Sequence, residues 1–338
     1  MKVLKKIVIC IMVSLIIQFG GLFYMNNYFL ASNTAIKSKK VVDSSNRTSI
    51  FQVNVPNNAK AINVSFDANY IAYYLNSVLY VVNTKTGKSD NVSFSNRDKL
   101  CFYKWLPDRN RMLIAEKKNS NLLLSYYDVN KSQKSNITEV AMVSSAAEVK
   151  DIEAAPLPNV IYIKVSNGDK TDAIYWINIM KSKKKINTKT YNIGNIEVVP
   201  HEDKMVYEDL TNNKVYATGI NNALSFIGST KSCLLEIDNN DQVYIGDVDS
   251  NNNIDKIYFG TLKENTSSWQ TLQLNTPVSK ANLFVTARGK VYINDNRKGT
   301  VAEFQTGKKT AYKGIFLQSY SDGIASISDG ILVKTPFN

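Results

Sequence analysis

The stretch Lys204–Glu208, KMVYE, recurs as QVYIG at 242–246 and KVYIN at 290–294, each time just after a polar turn. Looser copies stand at 70 (YIAYY), 111 (RMLIA), 160 (VIYIK) and 323 (GIASI), which makes seven copies about 30 to 50 residues apart. A chain that writes one short apolar phrase at such a period is building one supersecondary unit repeatedly, and that unit cannot cover its own hydrophobic faces alone.

Each copy keeps its neighbours. An apolar segment and a tight turn precede it, as in NVSFDAN, YKWLPDRN, EAAPLPN, EVVPHED, LEIDNND, LFVTARG and LQSYSDG. A second strand-like run comes after it, as in VLYVVN, LLLSYYDV, AIYWINI, KVYATGI, KIYFGTL, TVAEFQT and ILVKTPF. A fourth, weaker strand closes most units, for example KSDNVSF or WQTLQL. Short β-rich runs punctuated by Gly, Pro, Asn and Asp are up-and-down hairpins. Four strands in about 40 residues is the period of a β-propeller blade.

The expected fold is therefore all-β, a propeller of about seven four-stranded blades, with six or eight as the alternatives if the degenerate third or seventh unit is miscounted. KMVYE and its copies are the second strand of each blade, apolar because neighbouring blades press on both faces. The last unit, 315–337, has only three strands, and an orphan strand SIFQVNV at 49–55 is placed to complete it. The propeller thus spans 49–338, with 49–55 closing the last blade.

Ahead of it, Ile7–Met25 carries no charge and comes after Lys2, Lys5 and Lys6. Nineteen helical residues reach roughly 28 Å, close to the ~30 Å hydrocarbon thickness of a bilayer. A cleaved signal peptide starts the same way, but this run is longer than a signal core and lacks a small-residue cleavage pattern, Phe29 standing near Ala31 where a small residue is needed. The expectation is a signal anchor at 7–25 with a cytoplasmic tail at 1–6, a polar stalk at 26–48 and the body outside the cytoplasm, at the cell membrane. Cys101 and Cys233 fall in different units, blades two and five, and are expected as unpaired thiols.

The net charge of +12 divides in two. Residues 1–47 hold seven Lys or Arg against Asp43, so +6 belongs to the anchor and stalk. A mildly basic body on an envelope surface suits a protein, a peptide or an anionic cell-wall polymer as partner, besides the membrane through 7–25. Without a dense basic stripe interleaved with aromatics, no nucleic acid is expected.

VSFDANYIAYYLNSVLYVVNTKTGK, 64–88, and YKWLPDRNRMLIAEKK, 103–118, resemble the propeller repeats of TolB and of the N-terminal domain of dipeptidyl-peptidase IV. In both, an aromatic strand, a Pro-Asp-Gly-like turn, Ile-Ala and a Leu-Tyr-Val strand recur. Asp67-Ala68-Asn69 and His201-Glu202-Asp203 depart from the turn motif. The resemblance implies an extracytoplasmic binding scaffold. No Gly-x-Ser-x-Gly elbow accompanies it to suggest the hydrolase that adjoins the peptidase propeller.

Chemistry-bearing residues are few. His201 is the only histidine, which leaves no His-based metal cluster. Aligning the first strands on their turns puts Asn63, Tyr103, Glu153, Glu197, Leu234, Leu283 and Gln318 in one column facing the central channel. Of these, Asn63, Tyr103, Glu153, Glu197 and Gln318 are the candidate channel residues. Facing carboxylates at Glu153 and Glu197 can share a proton, bind a cation or serve as acid and base in glycoside chemistry. DVDSNNNID at 247–255 places Asp247, Asp249, Asn251 and Asp255 at positions 1, 3, 5 and 9 of an Asp-rich calcium loop. A plain polar hairpin between two strands accounts for the same letters. The expected function is a non-catalytic binding or scaffolding module with no cofactor beyond this Ca2+ candidate. The alternative is a carbohydrate-active enzyme using channel carboxylates.

Overall fold

The structure is a computed structural model that describes residues 5–6, 12–15, 18–22, 52–94, 98–168 and 171–338. It divides into two compact units, Met1–Ser49 and Ile50–Asn338. In the first, the described residues are helical, and among the described residues no helix is long and apolar enough to cross a membrane. The rest of the expected anchor, and the stalk at 26–48, lie outside the described residues.

The second unit holds seven antiparallel sheets in chain order. Blade one comprises β1 (Lys60–Val64), β2 (Tyr70–Leu75), β3 (Val78–Asn83) and β4 (Ser89–Val92). Blade two has β5 (Asp98–Trp105), β6 (Arg111–Lys118), β7 (Asn121–Asp128) and β8 (Gln133–Met142). Blade three has β9 (Glu148–Ala155), β10 (Val160–Ser166), β11 (Asp172–Asn178) and β12 (Lys183–Ile186). Blade four has β13 (Ile193–Val198), β14 (Met205–Asp209) and β15 (Lys214–Ala217), and Leu224 bridges to Val215 where a fourth strand would lie. Blade five has β16 (Ser232–Ile237), β17 (Gln242–Val248), β18 (Asn253–Thr261) and β19 (Gln270–Ser279). Blade six has β20 (Leu283–Val285), β21 (Val291–Asp295), β22 (Thr300–Glu303) and β23 (Lys309–Ala311), and blade seven has β24 (Ile315–Tyr320), β25 (Gly323–Ser328) and β26 (Ile331–Pro336).

The repeated phrase is the second strand of every blade. In blade four all five residues of β14 are buried, including Glu208 and Asp209. Seven buried apolar clusters account for this, each straddling one pair of adjacent blades, from Leu79, Tyr103 and Met112 between blades one and two to Tyr292, Tyr312 and Ile324 between six and seven. Both faces of each central strand are thereby removed from water, which is worth roughly 1.5–3 kcal/mol for each fully buried large apolar side chain.

The circle closes on the N-terminal side of the propeller. The Val55 amide donates to the Gly330 carbonyl at 2.7 Å, and the Leu332 amide donates to the Val53 carbonyl at 2.9 Å, so 53–55 lies antiparallel to β26 as the outer strand of blade seven. Val53 and Val55 are 3% and 5% exposed and sit in the same cluster as Val64, Ile71 and Leu332 from blades one and seven. Cys101 on β5 and Cys233 on β16 are free thiols in separate blades.

Replacing Val53 and Val55 together by Ala leaves the backbone pairing possible but opens a void in the closing cluster. Unfolding in urea should show a loss of roughly 2–5 kcal/mol, whereas an unchanged midpoint would mean that 53–55 does not hold the ring shut.

Candidate functional site: the axial channel and its mouth

The first strands β1, β5, β9, β13, β16 and β20 succeed one another by contact around the axis, and β24 returns to β1. What they turn inward is set by register. The third residue of the repeated phrase, Ala72, Leu113, Tyr162, Val206, Tyr244, Tyr292 and Ala325 in turn, pairs with Asn63, Lys104, Glu153, Glu197, Glu236, Phe284 and Gln318. This column agrees with the sequence-derived one at Asn63, Glu153, Glu197 and Gln318 and differs at three positions. Lys104 replaces Tyr103, Glu236 replaces Leu234, and Phe284 replaces Leu283. The turns after the first strands differ in length, so residues counted back from a turn drift out of phase, and β-bulges in β1, β5, β9, β13, β16 and β24 break the alternation just before the inward residue.

Lys104, Glu153, Glu197 and Glu236 line an axial cavity of about 800 Å³. The other expected channel residues do different work. The Tyr103 side chain is wedged between blades one and two, its hydroxyl donating to the carbonyls of Ala61 and Ala72, the latter at 2.8 Å. Gln318 donates to the Val64 carbonyl and accepts from the Val64 amide, both at 3.2 Å, which ties blade seven to blade one. The Asn63 side chain donates back to the Ala61 carbonyl at 3.1 Å.

Charge concentrates on the blade-two-to-five side. The Lys104 ammonium donates to Glu153 and, at 3.1 Å, to Asp151. Glu153 is buried, and burial first, then the charges of Glu197 and Asp151, hold its carboxyl well above the usual carboxylate range against the pull of Lys104. Burial and the neighbouring Glu236 raise Glu197 in the same direction, and the Glu197 and Glu236 carboxyl groups hydrogen-bond to each other. Glu236 is pushed up to about 7 by burial and then by the charge of Glu153, with Lys104 and the Ile237 amide opposing. The acids push Lys104 upward despite its burial. Three carboxyl groups beside one ammonium in a low-dielectric space cannot all ionise, so they hold protons near neutrality. Such a cluster can accept or give a proton or accommodate a positive group.

The cavity opens among the turns between first and second strands. Phe66, Pro107, Asp108, Pro156, Leu157, Pro200, His201, Thr286, Arg288 and Ser321 line this mouth. Hydrogen bonds link the mouth from blade to blade. Asn110 donates to Asp67 at 3.0 Å, the Ser321 amide to the Phe66 carbonyl at 2.8 Å, Arg288 to Asp322 at 3.1 Å and the Asn239 amide to the Ala287 carbonyl at 2.8 Å. The His201 amide donates to Asp241 at 3.2 Å, while Tyr162 and Trp176 of blade three donate to Asp203 at 2.7 and 2.8 Å. The two turns that depart from the repeat motif, Asp67-Ala68-Asn69 and His201-Glu202-Asp203, are thus among those whose Asp side chains receive the neighbouring blade, with Asp241 and Asp322 doing the same elsewhere.

The calcium-loop letters fall on the β17–β18 hairpin. The Asp249 carboxylate accepts from the amides of Asn251 and Asn253, both at 2.8 Å, and caps the turn. Asp247 pairs with Lys256 across the hairpin and accepts from the Tyr258 hydroxyl at 3.4 Å, and Asp255 lies on β18. Among the described residues no group of three or more His, Cys, Asp or Glu is arranged to hold a metal.

Fold and cavity together define a seven-bladed β-propeller with an acidic axial channel. No protein-family model matches the sequence, and no curated protein matches it. Solved structures do share the fold. An oligogalacturonate lyase in complex with manganese aligns with TM-score 0.58 at 9% identity over 85% of this chain and 98% of its own. A chain of a mitotic checkpoint complex aligns with TM-score 0.53 at 13% identity over 89% and 95%. TolB from Acinetobacter baumannii is also similar, with TM-score 0.44 at 14% identity over 81% and 65%. Likeness to dipeptidyl-peptidase IV rests on the sequence repeats alone.

Protonated channel carboxyls carry a signed pH dependence. A folded-state value of about 7 for Glu236, against an ordinary 4.5, gives stability that is fully present below the ordinary value and lost as pH rises through about 7. Urea unfolding should weaken between pH 5 and pH 8, by about 3 kcal/mol from Glu236 with Glu153 and Glu197 adding in the same direction, and Glu236→Gln should reduce the slope. Lys104→Met, which leaves Asp151 and Glu153 without their cation, should cost roughly 3 kcal/mol at neutral pH.

Proposed function

We propose that this chain is a non-catalytic binding propeller that engages a protein or peptide partner through the channel-mouth face. The observation that carries the reading is the open axial cavity rimmed by rigidly linked turns, a concave surface held on a stiff scaffold. Lys104, fixed between Asp151 and Glu153, acts as an internal counter-ion. Lys104 is the cation of this interior and its ammonium is already taken, so the channel offers no free row of cations to an anionic wall polymer, and a protein or peptide fits it better. Residues 7–25, uncharged and preceded by three lysines, tether the propeller to the outer face of a membrane in this reading. In this reading the turn of the 247–255 hairpin is held by Asp249 Oδ1, which accepts from the Asn251 and Asn253 amides, and Ca2+ has no part in the binding.

One observation favours a second reading. Glu236 near neutrality beside Glu197 is a carboxyl pair suited to acid–base work on a carbohydrate.

A photo-crosslinking residue placed at Leu157, 66% exposed on the mouth face, should capture a partner on intact cells. The same residue at Ile315, 77% exposed at the opposite end of a first strand, should not. Glu153→Gln, Glu197→Gln and Glu236→Gln combined should leave the capture intact. Equal capture from both faces, or turnover of a glycan panel that Glu236→Gln abolishes, would overturn the binding reading.

A further inference from the structure

The mouth is not linked evenly. Hydrogen bonds join blade one to two, three to four, four to five, five to six, six to seven and seven to one at this level. Between blades two and three, among the described residues, none joins the turn 106–110 to blade three. Arg109 instead binds its neighbour Asp108, Arg111 binds Asp128 at 2.7 Å within its own blade, and the Asn159 side chain donates to the Leu157 carbonyl at 3.1 Å.

A cavity of about 260 Å³ occupies that gap. Its floor is the mouthward end of the blade-two-to-three core, where Leu106, Ile137, Ala154 and Ile161 pack on the cluster but stay half-buried. Ile179, 71% exposed, lines the pocket; Met180, 80% exposed, is its neighbour in the same turn, and Leu157, 66% exposed, lines the axial cavity next to the pocket residue Pro156. These stand on two neighbouring turns of blade three, since Val160 pairs with Asn178 at the same end of the sheet. Leu106, Leu113, Ala154 and Pro156 line both this pocket and the axial cavity, so the two are continuous.

The charge here is opposite to that of the channel. Arg109, Arg111 and Lys181 line the pocket. Asp108 and Asp128 pair with the two arginines, and among the described residues Lys181 is in no ion pair. The Arg111 Nε–H is buried without an acceptor, while its guanidinium lies 4.8 Å over the Tyr126 ring in the pocket wall. An apolar slot beside the uncommitted Lys181 ammonium complements an apolar side chain with a carboxylate next to it. The volume decides the size of the occupant. It falls below the ~300–1,000 Å³ of pockets for drug-sized ligands, and it suits a single anchoring side chain from an extended segment.

We infer that the blade-two-to-three seam is the anchor site for a partner segment that carries a large aliphatic residue flanked by an acidic one. The inference rests on the reading of the mouth face as the partner surface and names the chemistry that face selects. The partner's apolar side chain completes the one seam that the propeller's own turns leave unbridged, and the flanking carboxylate meets Lys181.

The test uses the full-length chain and three synthetic peptides, Ser-Asp-Leu-Asp-Ser, Ser-Asp-Ala-Asp-Ser and Ser-Lys-Leu-Lys-Ser, with binding read by saturation-transfer NMR on the peptide methyl groups. The acidic leucine peptide should bind at least about ten-fold tighter than the alanine peptide. Lys181→Glu should weaken it about five-fold, and raising the salt should weaken it further. Leu157→Ser with Ile179→Ser should remove the preference for leucine while leaving the urea midpoint unchanged, because both side chains are exposed. Glu236→Gln, which alters only the channel, should leave the binding of this peptide as it was. Equal binding of all three peptides, tighter binding of the lysine peptide, no binding of any, or indifference to the seam substitutions would each overturn the inference. If crosslinks at Leu157 persist when the peptides fail, the face is still the partner surface and the peptide chemistry is what falls.

Discussion

A sheet with two apolar faces has no stable place except between two others. In this chain the central strands meet that condition seven times, with one buried cluster filling each seam. Each blade is stabilised by its neighbours more than by itself, and a ring is the arrangement that leaves no blade with a bare face. The channel is a by-product of that packing. Seven first strands around one axis cannot meet at its centre, and the space that remains is lined by whatever register turns inward.

That lining is unlike the seams. Glu153, Glu197 and Glu236 lie near one lysine in a space partly withdrawn from water, and protons on them take the place of missing cations. Lys104 is held in position by two ion pairs, and the mouth turns above it use Asp67, Asp203, Asp241 and Asp322 to hold neighbours. Acidic groups thus do two separate jobs, one set knitting the rim and the other giving the interior its sign. The blade-two-to-three rim has no such Asp clasp, and apolar side chains stand there in its place.

The fold was legible because period and pattern coincide: KMVYE and its copies carry the second strand, and the count of copies is the count of blades. Glu153 and Glu197 were legible as channel groups because their turns and strands happen to keep phase. Lys104 and Glu236 were not. Counting back from the turn lands on Leu234, whereas Tyr244 pairs with Glu236 and the bulge residue Leu235 stands between the two, which nothing in the letters LLEI announces. Tyr103 illustrates the converse, since an amphipathic ring one residue away from the inward position looks equally suited to a polar wall but fills a seam. The seam pocket had a faint trace in the sequence, the exposed pair Ile179-Met180 in an otherwise polar turn. The helical residues before Ser49 belong to a separate unit, and the strand pattern bears only on the propeller at 50–338.

Pairing of 53–55 with 330–332 has a consequence for how the molecule is made. A ribosome delivers the valines of the first segment long before the strand that receives them, so throughout translation the nascent chain carries a sticky edge with no native mate. Early blades can stack as they emerge, but the circle is sealed only once 330–332 has emerged. Until then the growing protein is an open arc, and a holdase that shields Val53 and Val55 would act where the hazard of misassembly is greatest.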